Sequence, residues 1–111
     1  MELTLIETNA KATILALSGY MGYESTRAIE TRLKQATSGI HKSSIVDLKD
    51  VSFISSFGIR VFLDILQALE KEGKKLYLVN PQPEVKEVLI ACEMDTLAGI
   101  FDTREAALAA L

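Results

Sequence analysis

A chain of 111 residues, 49% of them hydrophobic, holds material for one ordinary domain with a sizeable core and leaves no room for a second. Its charged fraction of 24%, net charge of −3 and lack of any Lys/Arg stripe offer nothing to a phosphate backbone, so nucleic acid is disfavoured as a partner. No apolar run approaches the roughly 20 residues of a membrane span. Met1 leads into Glu2-Leu3-Thr4-Leu5 without the features of a secretion signal, so a cytoplasmic location is expected.

Leu3 to Thr8 alternates as a strand, Asn9-Ala10-Lys11 reads as a turn, and Ala12 to Leu17 is a second β segment, so the chain opens with a hairpin. Ser18 to Tyr23, with two glycines, is predicted as a loop. From Glu24 to Gln35 the period becomes helical: Ile29, Leu33 and Ala36 form a narrow apolar stripe, while Arg27, Glu30, Arg32 and Lys34 cover the rest. Thr37-Ser38-Gly39 ends that helix, and Ser43 to Leu48 is the next strand.

Ile54-Ser55-Ser56-Phe57-Gly58 leads into a helix running to about Glu72, stopped by Gly73. Arg60, Asp64, Gln67 and Lys71 fall on one polar stripe, and more than half of the circumference is apolar and needs cover. Leu76 to Val79 is continuously apolar, as a strand buried in a parallel sheet would be. Pro83 fits the first turn of a third helix whose Val85, Val88, Leu89 and Cys92 share a face. Gly99 to Phe101 reads as a last short strand, and Asp102, with Glu105 three residues on, as the N-cap of a helix ending at Leu111. The order ββαβαβαβα predicts an α/β fold: a mainly parallel, mixed sheet opened by a hairpin, with about four helices.

Few residues offer chemistry. Cys92, the only cysteine, reads as a buried thiol, and it leaves no intramolecular disulfide. His41, the only histidine, reads as a solvated loop residue and excludes a metal site built on several imidazoles. Asp47 and Asp50 flank the predicted end of a strand, where carboxylates are usually solvated and only sometimes hold Mg²⁺ or move protons. No cofactor, no metal and no catalytic residue is expected. Ser55-Ser56 is more pointed. One serine suffices to cap a helix, and the second, beside Phe57 and Gly58, is open either to the same duty or to an exposed turn that a partner or kinase reads.

The stretch Val46-Asp47-Leu48-Lys49-Asp50-Val51-Ser52-Phe53-Ile54-Ser55-Ser56-Phe57-Gly58-Ile59 resembles the signature of the STAS family, the sulfate-transporter and anti-sigma-factor-antagonist domains. That signature runs D-L-S/x-x-V-x-F-(I/M/L)-D-S-S/A-G-(L/I)-G, and Asp47, Leu48, Val51, Phe53, Ile54, Ser56, Gly58 and Ile59 match it in place. The opening hairpin and the loop Gly19-Tyr20-Met21-Gly22, of the type G-x-(L/I/M)-D, extend the resemblance over 1–111 as one STAS domain.

The resemblance implies a protein-binding regulator rather than an enzyme. In the anti-sigma factor antagonists of the family, the partner anti-sigma factor is also a serine kinase. The unphosphorylated domain binds it and frees the sigma factor, and phosphorylation breaks that complex. Carried over, the phosphoacceptor is Ser56, and the partner-binding residues are Ser55, Ser56, Phe57 and Gly58 with Gly22 and Tyr23. A partner is expected to approach Gly58 closely, and the Phe57 ring is expected to be at least partly exposed. Ser55, Phe57 and Gly22 stand where the family has aspartate, a small residue and aspartate. The alternatives are a STAS adaptor without phosphorylation, serving a stress-signalling or transporter complex, and a STAS domain that senses a small ligand. From other classes, a receiver-like phosphoacceptor lacks carboxylates at the end of the first strand (Glu7-Thr8-Asn9). A serine hydrolase would have no G-x-S-x-G elbow and His41 as its only base.

Overall fold

The Asn9 side chain makes the first turn. Its Oδ1 accepts from the backbone N–H groups of Lys11 (2.8 Å) and Ala12 (3.0 Å), which reverses the chain between β1 (Glu2–Thr8) and β2 (Ala12–Met21). A computed structural model describes residues 1–111. After β2 come α1 (Tyr23–Ala36), a 3₁₀ turn (Ser38–Ile40), β3 (Ser43–Ile54), α2 (Ser56–Glu70), β4 (Leu76–Val79), α3 (Pro83–Ala91), α4 (Met94–Leu97), β5 (Ile100–Phe101) and α5 (Arg104–Ala109). The strands form one sheet in the order β1-β2-β3-β4-β5, with β1 antiparallel to β2 and every other pair parallel. The predicted α/β architecture is therefore present, with five helices rather than four.

Two layers of side chains hold it. On one face Leu15, Leu17, Val46, Leu48, Leu76 and Leu78 of the strands pack against Ile29 and Leu33 of α1, the apolar side of α2, and Val85, Leu89 and Met94. Phe62, the largest side chain in this layer, is wholly buried. The polar stripe of α2 (Arg60, Asp64, Gln67, Lys71) is exposed, as its spacing requires. Lys34 of α1 reaches across it, 2.7 Å from Glu30 and 3.3 Å from Asp64 of α2. Its pKa is held above the usual lysine value, chiefly by the hydrogen bond to Glu30. On the opposite face, Ala12, Ile14, Ile45, Tyr77 and Val79 receive Ala107 of α5. No helix is long and apolar enough to cross a membrane.

Several expectations are corrected. Ser18 to Met21 is strand, not loop. β3 is twelve residues long, and its far half supplies partners to the second strand: Gly19 faces Val51, Tyr20 faces Phe53 and Met21 faces Ile54. Gly19, at φ 113°, absorbs the register shift there in a conformation other residues avoid. Cys92 is exposed, because α3 stops at Ala91 and only Val85 and Leu89 of its expected stripe are buried. The segment after it forms a separate short helix, α4, in addition to the four expected. Thr103, not Asp102, caps α5, its Oγ1 accepting from the Ala106 N–H at 3.0 Å.

Asp47 differs most. It lies inside β3 rather than at the strand's end, and it is 5% exposed. Its Oδ2 accepts from Arg104 Nε at 2.9 Å and its Oδ1 from the Lys49 N–H at 2.9 Å. Together with the Tyr77 hydroxyl donating to the Ala110 carbonyl at 3.3 Å, this pair fastens the short α5 to the sheet. Arg104→Gln should cost about 1.5 kcal/mol, the low end for a hydrogen bond to a charged group because the arginine is partly solvated. Urea denaturation measures the loss, and amide exchange should show residues 104–109 opening first. An unchanged midpoint with unchanged protection of α5 would show that the apolar contacts alone hold it.

Candidate functional site

Where β3 gives way to α2, the two serines divide the work. The Ser55 N–H donates to the Met21 carbonyl at 2.9 Å, which ties the end of β3 to the end of β2. Its Oγ accepts from the Gly58 N–H at 3.2 Å and its carbonyl from the Ile59 N–H at 3.1 Å, so Ser55 is the N-cap. Ser56 is the first residue of the helix, is exposed, and its hydroxyl has no partner in the chain. A cap hydroxyl is committed to the backbone, whereas a hydroxyl at the first helical position points to solvent.

Gly58 is buried, and a Cβ built there would lie 2.9 Å from Ile54 Cγ1 and 3.4 Å from Met21 Cε. The close approach at this glycine is therefore between α2 and the side chains beneath it. Internal packing by itself requires a glycine here. Phe57 is half-buried, and its ring sits 4.9 Å from that of Tyr23 at 54°, against the core. The ring is thus partly exposed, as expected, and partly folded onto its neighbour. Tyr23, 54% exposed, accepts at its hydroxyl from Arg27 Nη1 (2.9 Å), whose guanidinium lies 5.9 Å from the ring centroid.

Gly22 is the N-cap of α1 and donates its N–H to Ser25 Oγ at 3.0 Å, while that hydroxyl donates to the Tyr20 carbonyl. A Cβ at Gly22 would lie 2.8 Å from Tyr20 Cε1, so the absence of a side chain here makes room for the tyrosine ring. That ring stacks on Phe53 at 4.4 Å and 14°, with Tyr20 58% and Phe53 39% exposed. Phe53 in turn borders a groove of about 290 Å³ with Val85 and Val88, flanked by the exposed Glu84 and Glu87. Of these ring pairs, Tyr23–Phe57 is the one next to Ser56, through its chain neighbour Phe57. The sequence names both residues, Phe53 in the motif and Tyr20 in the preceding glycine-containing segment, but a loop over 18–23 does not bring their rings together. Their facing register, one place before Met21 and Ile54, exists only through the β2–β3 pairing.

The remaining candidates lie apart from this surface. Both Asp47 oxygens are engaged, as described above, which weighs against a receiver-like acidic pocket. His41 pairs with Glu72 beyond the other end of α2. A helix of 15 residues spans about 22 Å, so His41 is no base for Ser56. No three of the His, Cys, Asp and Glu side chains converge as metal ligands would.

Comparison with known proteins gives the following. The STAS domain profile matches residues 4–107. A Thermotoga maritima protein described as a candidate anti-sigma factor antagonist is 35% identical over 65 residues, 59% of this chain and 57% of that protein, so the match spans little more than half of the relative's length. A crystal structure of a candidate anti-sigma factor antagonist from Thermotoga maritima superposes with a TM-score of 0.83 at 24% identity, covering 93% of this chain and 89% of that one. The anti-sigma factor antagonist SpoIIAA of Bacillus, at 19% identity, superposes in its unphosphorylated form with a TM-score of 0.76, covering 96% and 93% of the two chains, and in its phosphorylated form with 0.73. At these identities the solved structures speak for the fold.

The division between the serines predicts opposite costs. Ser55→Ala removes the cap and should destabilise the protein by about 1 kcal/mol, whereas Ser56→Ala should stay within about 0.5 kcal/mol of the parent. Paired urea denaturation curves measure both. Equal losses would show that the capping role is shared.

Proposed function

This chain belongs to the STAS domain family, and from that membership we propose that it is an anti-sigma factor antagonist whose docking surface is the N-terminal end of α2 with the neighbouring rings. Its partner is an anti-sigma factor that is also a serine kinase. The unphosphorylated protein binds that partner and frees a sigma factor for transcription. Phosphorylation at Ser56 ends the binding. The protein acts by association and not by catalysis, needs no cofactor, and works in the cytoplasm.

The observation that carries this reading is the exposed, uncommitted Ser56 hydroxyl beside a serine that already does the capping. A phosphate there adds nearly two negative charges beside the half-buried Phe57 and the exposed Tyr23 that pairs with it. Docking that buries this surface must desolvate the phosphate, and charge left without a partner in an interface is costly. Rings of this type are common binding hot spots. The relatives' description as candidate antagonists and the two solved states of SpoIIAA support the same role. A second reading, a STAS adaptor that is never phosphorylated, is favoured by one feature. The Tyr23–Phe57 pair lies beside the acceptor, where the family motif has a small residue at position 57.

Affinity capture from the native host with tagged wild type and Ser56→Asp tests the proposal. Wild type should retain a protein with an anti-sigma kinase domain, and Ser56→Asp should bind it at least about tenfold more weakly, or about 1.4 kcal/mol. With the captured kinase and ATP, phosphate should map to Ser56 and not to Ser55. Capture by both forms with no phosphopeptide would establish the adaptor instead.

A further inference from the structure

We infer that Arg60 is the receiver of the Ser56 phosphate: a phosphoryl group on Ser56 is held on the surface of α2 by the guanidinium one turn further along. The inference rests on Ser56 being the acceptor, and it adds how the modified surface is rearranged.

Ser56 and Arg60 are four residues apart on one exposed face of a regular helix, so their Cβ atoms are neighbours at about 5–6 Å. An acidic group on the N-terminal side of a basic one is the favourable order for such a pair. The guanidinium offers a planar fork of donors that matches phosphate oxygens. Arg60 is also free to respond, since it takes part in none of the five ion pairs of the structure. Its own neighbour one turn on, Asp64, is turned toward Lys34 of α1 at 3.3 Å. Arg27, four residues after Tyr23 on α1, is committed to the Tyr23 hydroxyl.

The backbone adds to the same end. Ser55 satisfies the N–H groups of Gly58 and Ile59, while those of Ser56 and Phe57 have no acceptor in the chain. Arg60 stands where the motif closes with glycine, and Ser55 stands where it has aspartate. Relative to that motif the chain has lost a carboxylate next to the acceptor and gained a cation one turn beyond it. Phosphorylation therefore does two things at once here. It adds negative charge at Ser56, and it withdraws Arg60 from whatever acidic group a docked partner would present to it.

The test needs no partner and no kinase. Protein carrying genetically encoded phosphoserine at position 56 is titrated by phosphorus NMR at low salt, beside the same protein with Arg60→Gln or Arg60→Lys. The second phosphate ionisation, ordinarily near pH 6, should fall lower with Arg60 than with Arg60→Gln by about half a pH unit, because an adjacent cation favours the dianion. Arg60→Lys should retain part of that shift, and added salt should shrink it. Identical midpoints for the Arg60 and Arg60→Gln proteins would overturn the inference. Because the phosphate is installed directly, this result stands apart from whether a kinase uses Ser56, which the capture and mapping experiment decides.

Discussion

The parallel pairing of β2 with β3, carried to the last residues of both strands, is the constraint on which the site depends. Met21 faces Ile54, and the Ser55 N–H closes onto the Met21 carbonyl immediately after. That bond brings the start of α2 beside the start of α1. Gly58 lets α2 settle on Ile54 and Met21, where a Cβ would meet Ile54 at 2.9 Å. Buried cores resist overpacking, so this contact restricts position 58 from inside the molecule. The two helices then begin side by side, and Tyr23 of α1 meets Phe57 of α2.

From this follows a separation of structural from surface roles among adjacent residues. Ser55 and Gly58 face inward or toward the backbone and hold the turn, while Ser56 and Arg60 face solvent. Gly22 belongs with the first group, because its bare backbone makes the space in which Tyr20 lies before stacking on Phe53. The residues at 22, 55 and 57 that depart from the family motif all fall in this one region, and together they replace two carboxylates with packed rings and a neutral cap. A surface built this way carries more apolar area and less fixed negative charge.

The opposite face of the sheet follows a different economy of contacts. α5 is only six residues long, so a few features hold it: Ala107 in a small apolar cluster, the Tyr77 hydroxyl on the Ala110 carbonyl, and the Asp47–Arg104 pair. Asp47 opens the motif whose serine lies nine residues later, yet it is engaged in this different structural task.

The sequence by itself determined the element order, the mixed sheet with its opening hairpin, the polar stripe of α2 and the family. Those features live in local periodicity and in a contiguous motif. It left the two roles of Ser55-Ser56 open in sequence terms, because either hydroxyl has the chemistry of a cap and only the backbone path chooses between them. Only the tertiary structure decided that β2 runs on to Met21, since the partners that keep it extended come from β3, some thirty residues away. Likewise Asp47 is buried because Arg104 arrives from 57 residues later to meet it. The Tyr20–Phe53 and Tyr23–Phe57 pairs join residues of separate elements. Period and motif describe neighbours along the chain, and a surface made by the meeting of strand ends and helix starts exists only once those ends are held together.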